Sequence, residues 1–118
     1  MLQVARLAPR LLGESGELVV GFLAGQLNPD GGFKNRAGES DLYYTVFGIE
    51  GLLALRADVP CASVANYLAA FGGGDGLDFV HTACLARCWA SMTPELRRDA
   101  PFDSIVENLS RFRSGDGA

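Results

Sequence analysis

Three aspartate–glycine pairs punctuate this chain of 118 residues: Asp30-Gly31, Asp75-Gly76 and Asp116-Gly117. Each follows a leucine (Leu23, Leu68, Leu109) at the same distance, so the copies step by 45 and then 41 residues. That period belongs to helix-pair arrays, whose units bury their apolar faces only against neighbours. Glycine after aspartate supplies the left-handed backbone positions that reverse a chain tightly. The turns therefore set the unit: helix, sharp reversal, helix.

Between the turns the apolar spacing is helical. Leu18, Val19, Phe22, Leu23 and Leu27 recur at three- and four-residue steps, which predicts an amphipathic helix over 17–27. Ser40 or Asp41 caps a second helix that runs to Arg56 with Glu50 as its only internal charge. Pro60 opens a third over 61–71, and 77–92 forms a fourth whose body carries one charge, Arg87. Thr93 caps a short segment at Pro94, and 103–112 forms a last amphipathic piece. The second and fourth helices are apolar nearly all round and must be covered on most sides. Asp41-Leu42-Tyr43-Tyr44-Thr45 aligns with Asp78-Phe79-Val80-His81-Thr82. No strand pattern interrupts this, so the fold class is all-α. Each unit reads as an outer amphipathic helix, an Asp-Gly turn and an inner apolar helix.

The repeats span about 17–56, 61–92 and 103–118 of a single domain over 1–118. The third copy stops inside its own turn. The expectation is a fragment of a longer repeat protein, or one completed by self-association or by a partner subunit over its open edge. The opening residues, with two arginines and no acid before Glu14, read as a short helix over 2–12 disturbed at Pro9 or as a weak transit peptide, and lack the apolar core of a secretory signal.

Charge and cysteine use narrow the function classes. A net charge of -4 argues against nucleic-acid binding, which needs basic surface to displace counterions. Every apolar run is cut well before the roughly 18 residues of a membrane span. Three cysteines fit free thiols in a reducing compartment, so a cytoplasmic location is expected. There is no phosphate-binding glycine loop, no Gly-x-Ser-x-Gly elbow and no paired-cysteine zinc ribbon.

The stretch FLAGQLNPDGGFKNRAGESDLYYTVFGIEGLLAL resembles a repeat of the prenyltransferase and terpene-cyclase superfamily, which includes protein prenyltransferase β-subunits and squalene or oxidosqualene cyclases. Phe22, Leu23, Gln26, Asp30, Gly31, Gly32, Phe33, Gly38, Asp41, Tyr44 and Thr45 carry the likeness. It implies part of an α/α toroid, an incomplete ring whose inner helices line a cavity for an isoprenoid chain. Such a tail is held by removing apolar area from water. The implied substrate pocket comprises Tyr43, Tyr44, Phe47 and His81.

The resemblance also implies a zinc site in the β-subunit manner, where the metal holds an attacking thiolate. Asp41 and His81 fall on the family's Asp and His ligand positions, while its cysteine position is Tyr43 here. Cys84, one turn after His81, is the thiol that could join Asp41 and His81. Cys88 lies about 10 Å along the helix from His81, too far to share an ion with it. The same residues can equally be packing groups on a buried inner helix. The cyclases' Asp-x-Asp-Asp acid is absent, and Asp75 and Asp78 read as caps. Tyr43 and Tyr44 are either core aromatics or rings facing a carbocation. Lys34 and Arg36, beside the first turn, either meet a diphosphate or are simply solvated. With an incomplete cavity, turnover is not expected of this chain alone. A second reading takes the chain as a helical-repeat scaffold that binds protein partners without chemistry.

Overall fold

The computed structural model describes residues 15–113. A helix over 15–25 (α1) precedes α2 (Leu42–Ala54), α3 (Cys61–Ala69), α4 (Phe79–Ala90), the single turn α5 (Pro94–Arg97) and α6 (Phe102–Arg113). Among the described residues there is no strand, only isolated bridges at Leu27–Phe33 and Lys34–Ser40, so the domain is mostly helical. The helix expected over 2–12 and the third turn at Asp116-Gly117 lie outside the described residues.

The helix ends are set by local chemistry. Asp41 is extended and its carboxylate accepts the Tyr43 amide; Asp78 does the same for the His81 amide. Leu77 donates to Gly74 O and so belongs to the turn, which starts α4 later than the apolar pattern predicts. At the other end of α2, Ala57 N donates to Leu52 O and Arg56 N to Leu53 O. This pairing is a Schellman motif, and Arg56 occupies its left-handed position at φ 57°, where glycine is usual. The helix therefore stops short of the expected Arg56.

Helix α4 is the hub, packing against α2, α3, α5 and α6. Leu85, Val64 and Leu68 of α3, and Ile105 of α6 are fully buried. Side chains of this size contribute about 1.5–3 kcal/mol each when removed from water. Asp41 meets His81 at the N-terminal ends of α2 and α4, and Glu50 meets Arg87 further along. The two apolar helices thus run side by side in the same direction, and the single charge inside each is paired with the other.

The first turn is tied down by side chains. Asp30 Oδ1 accepts from the Gly32 amide (2.9 Å) and from Ser40 Oγ (2.6 Å), and Asn28 Nδ2 donates to Ser40 Oγ (2.8 Å). Gly31 has φ 95°, and a Cβ there would run into the Ser63 carbonyl in the first turn of α3. The second turn is held from α6 instead: Asn108 Nδ2 donates to Gly73 O (2.6 Å) and to Asp75 Oδ1 (3.0 Å). Among the described residues, no helix is long and apolar enough to cross a membrane.

Candidate functional site

An apolar cleft of about 410 Å³ opens where α1, the loop after it and α2 converge. Helix α1 and its end supply Phe22, Leu23 and Gln26; the loop supplies Phe33, Lys34, Asn35 and Arg36; α2 supplies Tyr44, Phe47 and Gly48. The loop delivers its residues because its backbone is fixed at both ends. Lys34 N donates to Gln26 O, and the Phe33 amide donates to the buried Thr45 Oγ1 at 3.0 Å. Phe33 then turns inward onto Gly48, where any side chain would meet its ring. Lys34 and Arg36 are left at the cleft, and neither has an ion-pair partner among the described residues. Apolar walls with two unpaired cations suit a ligand with a greasy chain and an anionic end.

Tyr44 and Phe47, expected as pocket residues, line this cleft. Tyr43 stands beside them, edge-on to Phe47 at 4.9 Å and to Tyr44 at 6.1 Å between ring centroids. His81 is placed elsewhere. Its Nδ1 lies 2.8 Å from Asp78 Oδ1 and its Nε2 3.6 Å from Asp41 Oδ1. With a carboxylate at each ring nitrogen, the imidazole acts as a strut between the caps of α2 and α4. Asp78, bonded by the His81 amide and then by its ring, is held below the ordinary carboxylate range.

The structure brings Asp41 and His81 together, but no group of three His, Cys, Asp or Glu side chains able to hold a metal forms among the described residues. Cys84 is buried, and burial pushes its thiol up despite the nearby Arg87. The described donor set does not fit a resident zinc. Cys88, one turn deeper, is pushed up to about 12, chiefly by burial.

The cleft residues Phe22, Leu23, Gln26, Phe33, Asn35 and Gly48 carried no expectation of a pocket role in the sequence. Their only local signal is spacing: Tyr44, Phe47 and Gly48 share a face of α2, and Phe22 precedes Gln26, in the turn that ends α1, by four residues. No protein-family profile, curated protein or solved structure matches the chain.

Proposed function

We propose that the protein binds an isoprenoid-like chain with an anionic end, as part of an α/α toroid of prenyltransferase-like or terpene-cyclase-like type. The observation that carries this reading is the placement of Lys34 and Arg36 beside a cleft walled by Phe22, Phe33, Tyr44 and Phe47. The tail is removed from water against the rings, and the cations meet the headgroup. Parallel α2 and α4, each with an aspartate cap and a buried threonine on the cap carbonyl, support equivalent inner helices of neighbouring repeats.

Binding of farnesyl phosphate and of neutral farnesol, measured by calorimetry, tests the reading. Farnesyl phosphate is expected to bind more tightly, and replacing both Lys34 and Arg36 by Ala to weaken it about tenfold while leaving farnesol unchanged. Equal, cation-independent binding of the two, or none, would refute it. One observation favours the scaffold reading: Leu18, Val19 and Phe22, neighbours on α1, are all exposed. Under that reading, Leu18→Asp would abolish capture of a protein partner and leave farnesyl phosphate binding untouched.

A further inference from the structure

We infer that Leu23 and Phe33 set the length of apolar chain the protein accepts, by dividing one groove into two chambers. This rests on the reading of the cleft as an apolar-ligand site.

The second chamber, of about 440 Å³, is walled by Val20 and Ala24 of α1, by Leu27 just beyond it, by Leu52 of α2, and by the segment from Ala57 to Pro60. Phe33 belongs to the walls of both chambers. Helix α1 is likewise common to both, with Leu23 lining the first chamber and Val20 and Ala24 the second. The partition is made of side-chain carbon. Phe33 stands on Gly48, and Leu23 stands on Gly51, where an added Cβ would lie 2.8 Å from Leu23 Cδ1. Gly48 and Gly51 are three residues apart and so adjacent on one face of α2. The helix is thus bare where the two dividing side chains rest.

Charge orients the ligand. The first chamber has Lys34 and Arg36; among the described residues, the only charged one lining the second is Asp58. An anionic head is attracted to the first chamber and repelled by the second, so the tail points toward Phe33 and Leu23. Alone, the first chamber is near the low end of the roughly 300–1,000 Å³ of small-molecule sites; joined, the two would fall in the upper half. Leu23 is the residue to trim, because it is only partly buried whereas Phe33 is 2% exposed and anchors the core.

The experiment is calorimetric binding of decyl, tetradecyl and octadecyl phosphate below their micellar concentrations. Each methylene that reaches apolar contact tightens binding about fourfold. In the unaltered protein the gain is expected to stop by tetradecyl. Leu23→Ala should raise the ratio of octadecyl to decyl affinity at least about tenfold, and the milder Leu23→Val should shift that ratio in the same direction. Leu53→Ala, outside both chambers, should reproduce the unaltered series. An unchanged ratio in both Leu23 variants, with decyl binding retained, would overturn the partition and leave the cleft reading standing. Failure of every phosphate to bind the unaltered protein would overturn both.

Discussion

The Phe33 amide donates to Thr45 Oγ1 at 3.0 Å, and the same hydroxyl donates to Asp41 O at 2.8 Å. One buried side chain thereby fastens the first Asp-Gly loop to the helix it precedes. Thr82, at the aligned position of α4, donates to Asp78 O but accepts no amide among the described residues. Thr45→Val leaves the Phe33 N–H buried without an acceptor and should cost about 1–3 kcal/mol, whereas Thr82→Val removes only a local back-bond and should cost under about 1 kcal/mol. Urea unfolding of the two variants measures the difference. Equal losses would show that the loop does not depend on Thr45.

The two aspartate–glycine turns differ in what surrounds them. Gly31 and Gly76 both have positive φ, 95° and 85°, but a Cβ on Gly31 would strike the Ser63 carbonyl whereas Gly76 faces open space. Gly76→Ala carries only the conformational penalty, about 1–2 kcal/mol. Gly31→Ala adds a backbone collision and should lose more than about 2 kcal/mol beyond that, with α3 displaced. Thermal unfolding of the pair, with amide shifts of residues 61–65, checks both statements.

Asp78 makes the stability of α4 sensitive to acid. Its folded-state carboxyl titrates below the ordinary value of 3.8, because the His81 amide and ring bond its charged form. A lowered folded value means the contribution is complete above the unfolded-state value and is lost as pH falls through the folded one. Asp78→Ala should therefore melt at a lower temperature than the unaltered protein near neutral pH, and the gap should close on acidification below the folded value. A gap that persists unchanged in acid would show that the ionised cap contributes nothing.

The cysteines should separate by reactivity. Cys88 is pushed up to about 12 and Cys84 is raised as well, both chiefly by burial, so both stay protonated and covered at mildly alkaline pH. Cys61, at the start of α3, is only partly buried. Iodoacetamide at about pH 8 is expected to label Cys61 first, with Cys84 and Cys88 reacting only through unfolding. Peptide mass spectrometry over time checks the order, and early labelling of Cys88 would contradict its burial.

The helices were legible in the sequence because their signals are local. Asp41, Asp78 and Thr93 each accept from amides two or three residues away, and each acts as the cap its residue type suggests. Ends that depend on more than the cap were less legible. Nothing in the sequence places Arg56 in the left-handed position that closes α2, or Leu77 in the turn rather than the helix. Of the cleft, Tyr44 and Phe47 drew notice in the sequence through the family resemblance, while Lys34 and Arg36 could be read as bound or as solvated. Phe22 reaches the cleft because α1 comes against α2, where Leu23 rests on Gly51.

The sequence by itself determined a mostly helical chain broken at glycine-bearing turns, since turn geometry and capping need only a few consecutive residues. Tertiary structure decided which side chains act together. His81 sits between the caps of α2 and α4, and Cys84 is packed into the core. The physical reason is range: a hydrogen bond to a near amide is written in the chain, whereas packing a phenylalanine onto a bare stretch of helix depends on the relative placement of elements, which no local pattern encodes.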